Sequence, residues 1–135
     1  MLRRCRNHGA HTPRRLLCWQ SEQFPTVDGA STVWRVTPSG QVSVAAQGLA
    51  AILGLAFDHQ KRMYVLETAA APGPDKGNGR VVRVYPSGRK DLIATGLTFP
   101  TAITCGPDGH LYVSNRGYDI PPGGTGEILK IRIPE

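Results

Sequence analysis

Glu67 and Asn115 are the two side chains in this 135-residue sequence whose types and spacing could do chemistry together. Each directly follows a short strand-like run, MYVL before Glu67 and LYVS before Asn115, and they stand 48 positions apart. A carboxylate and an amide supply hard oxygen donors of the kind that divalent cations take. The competing interpretation is that each closes its strand by bonding to nearby loop backbone, as short polar side chains do at such boundaries. Both stay open at this point, because two ligands alone do not make a metal site.

The other candidates are more easily explained by local structure. Asp58 and Asp108 fall in turns, where an aspartate bonds its own backbone two residues on. His59 and His110 lie in the same turns, and no Ser/His/Asp arrangement surrounds them. The Gly123–Gly126 run, GGTG, precedes a strand, so it has no helix N-terminus with which to hold a phosphate. Cys5, His8, His11 and Cys18 form a four-ligand set on paper, but zinc sites place such ligands in a compact scaffold with apolar residues to pack. The three cysteines are irregularly spaced and show no disulfide framework. Cys105 falls in a strand pattern and behaves as a small buried apolar residue.

The elements that must position these residues are set by a repeat. Val81–Gly117 restates Val33–Thr68 without a gap. Gly40 and Gly88, Gly48 and Gly96, Tyr64 and Tyr112, and Val65 and Val113 all lie 48 positions apart. Ile128–Ile131 opens a third copy one residue early. A constant step of roughly 20–50 residues marks a repeat architecture. Within each copy, Val33–Val36 and Val81–Tyr85 alternate apolar and polar, and a Pro-Ser-Gly turn follows. Gln41–Ala46 and Asp91–Thr95 come next, then the apolar runs Ile52–Phe57 and Ala102–Cys105, then Met63–Leu66 and Leu111–Ser114. Ile52–Phe57 is predicted to be a strand buried on both faces. No stretch of ten residues carries a helical period, so the predicted fold is all-β.

Four short strands per repeat of this length predict a β-propeller blade. The chain accounts for about two and a quarter blades of a ring that needs roughly four to eight. It is therefore expected to be a fragment, to complete a ring by oligomerising, or to be an incomplete product. In a propeller the tight turns gather on one face. The long loops Ala69–Asn78 and Arg116–Thr125 gather on the other, together with Gly48–Ala51 and Gly96–Pro100, and individual loops on a repeated scaffold are where binding is expected. Trp34 and Tyr85 are expected to pack between blades.

Residues 1–30 read as a non-repeat basic tail, disordered or not native, and 31–135 as the partial propeller. Within residues 1–23, Arg3, Arg4, Arg6, Arg14 and Arg15 face one acid, Glu22, and supply most of the formal net charge of +6. The charge thus sits on the tail, not on a folded face, which argues against nucleic acid. No apolar run approaches a membrane span, and Leu16–Leu17 is too short for a signal-peptide core. A misplaced start codon or a frameshift, with Phe24–Gly29 as the junction, is the alternative origin for this segment.

The phrases VWRVTPSG, ILGLAF…MYVLET, GRVVRVYPSG, GLTFPTAITCGPDGHLYVSNRG and PPGGTGEILKI, in that order, resemble the C-terminal part of the bacterial ScyD/ScyE family. The resemblance spans about Ser31 to Ile133. It implies a six-bladed, TolB-like propeller of the class that includes NHL, SMP30/gluconolactonase-like and calcium-dependent phosphotriesterase-like proteins, whose full-length members are usually secreted. It further implies that missing blades lie N-terminally. Related propellers hold calcium with strand-end carboxylates and amides, which would cast Glu67 and Asn115 as metal ligands completed by other blades. The expected function is a non-enzymatic scaffold that binds a small molecule or a protein, with missing blades or a second copy as further partners. The alternative is a fragment of a metal-dependent lactonase- or phosphotriesterase-like hydrolase. No cofactor is expected for this chain itself.

Overall fold

The computed structural model describes residues 3–8, 15–20, 29–68, 79–117 and 125–134. Every regular element among them is a β-strand, so the predicted all-β class is what the structure shows. The first sheet comprises β1 (Arg3–His8), β2 (Arg15–Gln20), β3 (Ser31–Val36) and β4 (Val42–Leu49). The second comprises β5 (Ile52–Phe57), β6 (Met63–Glu67), β7 (Gly79–Val84) and β8 (Lys90–Leu97). The third comprises β9 (Ala102–Cys105), β10 (Leu111–Asn115) and β11 (Glu127–Ile131). Each sheet is a meander in which strands that follow one another in the chain pair antiparallel.

Strand limits recur along the chain. β3 and β7, β4 and β8, and β6 and β10 begin and end 48 positions apart. Left-handed backbone recurs at the same interval, at Gly40 and Gly88, Gly48 and Gly96, Ala51 and Phe99, and Lys61 and Gly109. The Pro-Ser-Gly turns show the cause. Gly40 and Gly88, at φ of 85° and 86°, donate their N–H groups to Thr37 and Tyr85 at 2.9 Å. Glycine adopts that backbone without the Cβ penalty other residues meet.

The second sheet is covered on both faces, by the first sheet on one and the third on the other. Leu55, Val65, Val82 and Val84 share a core with Leu17, Trp19, Val33, Ala46 and Leu49. Ala56, Tyr64, Leu66 and Val81 share another with Ile103, Leu111 and Val113. Leu55 and Ala56 are chain neighbours in different cores, as the two-residue period of a strand requires. Each fully buried Leu or Val side chain contributes about 1.5–3 kcal/mol. The equivalent strand of the third sheet differs, since Ala102 and Thr104 on its outer side are exposed.

β1 and β2, within the segment expected to be a non-repeat tail, form half of the first sheet. Leu17 and Trp19, two residues apart, both enter the core against the second sheet. Leu-x-Trp is too short to show a strand period by itself, and the structure supplies the partner strand β3 that makes it one. Cys18 is disulfide-bonded, so it is not free as a thiolate ligand, and Cys105 is a free cysteine. Trp34, expected to pack between blades, is 37% exposed on the outer side of the first sheet, the side on which its counterpart Val82 is covered by a neighbouring sheet.

Candidate functional site

Glu67 ends β6 and is fully buried. Its Oε1 accepts the Ala50 backbone N–H at 2.6 Å, and its Oε2 pairs with the Arg80 guanidinium, which lies directly opposite in the ladder. Asn115 ends β10 and is nearly as buried. Its Oδ1 accepts the Thr98 backbone N–H at 2.8 Å, and its Nδ2 donates to Glu127 Oε1 at 2.8 Å. Glu127 faces Asn115 in the ladder as Arg80 faces Glu67.

These are the same bond made twice. Ala50 and Thr98 are 48 positions apart, and each precedes a non-glycine residue in left-handed backbone, Ala51 at φ 38° and Phe99 at φ 44°. Such residues cost of order 1–3 kcal/mol and persist where surrounding structure fixes them. The carboxylate or amide oxygen fixes them here, together with the bonds from Thr68 N to Ala51 O at 3.1 Å and from Arg116 N to Thr98 O at 2.8 Å. Chemically, each oxygen ties the end of one strand to the connection entering its sheet. Both Glu67 carboxylate oxygens already accept a donor, so a cation there would compete with the Arg80 guanidinium.

Glu67 and Arg80 also form part of the wall of a cavity of about 410 Å³ between the first and second sheets, with Gly48, Leu49 and Lys90. Lys90 Nζ crosses it to donate to Gly48 O at 2.7 Å. Among the described residues no group of three or more His, Cys, Asp or Glu is placed to hold a metal ion. Residues 69–78 and 118–124, the bulk of the long loops expected to bind, lie outside the described residues, as do His11 and the Gly123–Gly124 pair.

The turn aspartates sit at the other end of the strands. Asp58 Oδ1 accepts the Gln60 and Arg62 N–H groups at 2.9 Å each, and Oδ2 accepts from Arg62 Nε at 2.5 Å and Tyr64 OH at 3.0 Å. Burial is the strongest influence on this carboxyl and raises its pKa. The bonds from Arg62 and Tyr64 outweigh it and hold the carboxyl below the usual carboxylate range. Burial, then the Asp58 charge, pushes the Tyr64 phenol up. Asp108 does the same work from another position in its turn, accepting from His110 N at 3.2 Å and from Tyr112 OH at 2.7 Å. Lys130 and Tyr112 hold it below the usual range. His59 is exposed, and the His110 backbone closes its own turn, accepting from Gly106 N at 2.8 Å.

Arg80 and Glu127 are the residues missed from the sequence. The signal was present: Arg80 directly precedes Val81 and Glu127 directly precedes Ile128, so both stand just before the matched residues of the same strand in successive copies. No protein-family model matches the chain, and a search of curated proteins finds no match.

Proposed function

We propose that the chain is a partial β-propeller of the ScyD/ScyE type and acts as a non-enzymatic binding scaffold for a small molecule or a protein. The observation that carries this is the matched pair of bonds from Glu67 to Ala50 N and from Asn115 to Thr98 N. The two oxygens best suited to a cation are spent on holding strained connections in place, which is architecture and not catalysis. Recurrent strand limits and recurrent left-handed positions support a blade-like unit used more than once. Individual loops on such a unit are then the natural place for a ligand.

Two measurements on the purified chain test the proposal: titration with calcium by calorimetry, and assay against lactone and phosphotriester substrates with and without calcium. No saturable heat and no calcium-dependent turnover are expected. Saturable calcium binding that Glu67→Gln abolishes, or calcium-dependent turnover, would overturn the scaffold and leave the hydrolase.

A further inference from the structure

At the opposite end of β6 from Glu67, a second cavity of about 260 Å³ opens between the first and second sheets. Leu17, Phe57, Met63 and Val84 give it apolar walls, and Arg35, Lys61, Arg62 and Arg83 give it cations. Among the described residues no acidic side chain lines it. Arg62 and Arg83 are neutralised by Asp58 and Asp91. Arg35 and Lys61 have no ion-pair partner among the described residues.

Two comparisons within the chain set Arg35 and Lys61 apart from the residues 48 positions later. Arg35 and Arg83 lie 48 positions apart, and each faces a residue of the next strand. Opposite Arg83 stands Asp91, which binds it at 3.0 Å, whereas opposite Arg35 stands Ser43. Of the three guanidinium groups that line the cavity, those of Arg35, Arg62 and Arg83, the Arg35 group is the one without an acid among the described residues. Lys61, in turn, occupies left-handed backbone at φ 61°, where the corresponding turn of the third sheet has Gly109. A lysine held where glycine is the relaxed choice is strain retained at the cavity mouth.

We propose that this cavity binds an aromatic anion, a single ring bearing a carboxylate or a phosphate. The ring lies against Phe57 and Met63, and the anionic head meets Arg35 and Lys61. An apolar cavity of roughly 150 Å³ already accepts benzene, so the observed volume has room for a ring with one substituent. Guanidinium and ammonium donors suit either head group, the first as a planar fork and the second as a point charge.

The test titrates phenyl phosphate, benzoate, inorganic phosphate and benzyl alcohol into the full chain by calorimetry. Both aryl anions are expected to bind saturably, at least about tenfold tighter than benzyl alcohol or inorganic phosphate. The order of the two aryl anions tells which head group the site prefers. Ser43→Asp is expected to weaken aryl-anion binding at least about fivefold by giving Arg35 the acid that Arg83 already has. Lys61→Gly is expected to weaken binding while raising Tm, a combination that a purely structural lysine would not give. The proposal is overturned if benzyl alcohol or inorganic phosphate binds as tightly as the aryl anions. It is also overturned if affinity is unchanged in Ser43→Asp or, should that variant not fold, in Arg35→Gln.

Discussion

At Glu67 a buried carboxylate, a buried backbone N–H and a partly exposed guanidinium satisfy one another. Their removal should not be symmetric. Glu67→Gln keeps an acceptor for Ala50 N–H and leaves no buried charge, and the Arg80 side chain opposite is already 28% exposed. The expected cost is about 1–2 kcal/mol. Arg80→Ala instead leaves a fully buried carboxylate without its cation, and the expected cost is about 3–5 kcal/mol. Asn115→Ala strands the Thr98 N–H and should cost about 1–3 kcal/mol. Urea unfolding of the three variants checks the order. Glu67→Gln proving as costly as Arg80→Ala would mean that the ion pair, and not the desolvated charge, dominates.

At the scale of elements, the β5–β6 turn rests on the Asp58 carboxylate. Its pKa lies below the unfolded-state value of about 3.9. A carboxyl with a lowered folded pKa contributes stability that is fully present above the unfolded value and is lost as pH falls through the folded one. Asp91, lowered by Tyr85 and Arg83, and Asp108 act with the same sign. Tm should therefore fall as pH drops below about 4, and Asp58→Asn should flatten part of that fall without abolishing it. An unchanged pH profile in Asp58→Asn would remove the carboxylate from the account. A second element-scale prediction concerns Gly79, the first residue of β7. A Cβ there would lie 2.8 Å from Leu97 O and 2.7 Å from Pro100 Cδ. Gly79→Ala should cost about 1–3 kcal/mol by forcing backbone apart, read as a lower urea midpoint with an unchanged slope.

Much of this level was legible beforehand. The glycines of the Pro-Ser-Gly turns, the period-two runs and the two-face burial of Ile52–Phe57 all follow from local chemistry. β1 and β2 were not legible, because Leu17 and Trp19 acquire a face only when β3 lies beside them. Strand-end bonding at Glu67 and Asn115 could be posed but not decided, since the donors lie 17 positions upstream in a connection whose path depends on tertiary structure. The cationic cavity was invisible for the same reason: Arg35 and Lys61 are distant in the chain and meet only where two sheets do.

At the scale of the molecule, the two outer faces of the three-sheet stack differ in polarity. On the first sheet Trp34, Val42 and Val44 are exposed, with Trp34 directly opposite Val44. The residues 48 positions after Trp34 and Val36, namely Val82 and Val84, are buried against a neighbouring sheet. The first sheet thus presents to water the face that the second sheet covers. The third sheet ends differently. Where the second sheet has Ala56 and Leu66, the positions 48 later are Thr104 and Ser114, and Lys130 pairs with Asp108 at 2.7 Å. Ile128 is the one large apolar side chain strongly exposed there among the described residues. Apolar area of this kind drives association when left uncovered, so self-association of the chain should run through the first sheet. In sedimentation velocity, Val42→Lys combined with Val44→Lys should shift the chain toward monomer, whereas Ile128→Lys should leave its distribution unchanged. Both substitutions sit on exposed positions, so neither should lower Tm by much. The reverse pattern, with Ile128→Lys dispersing the chain and the double variant still associating, would place the contact on the third sheet despite its hydroxyls and its ion pair.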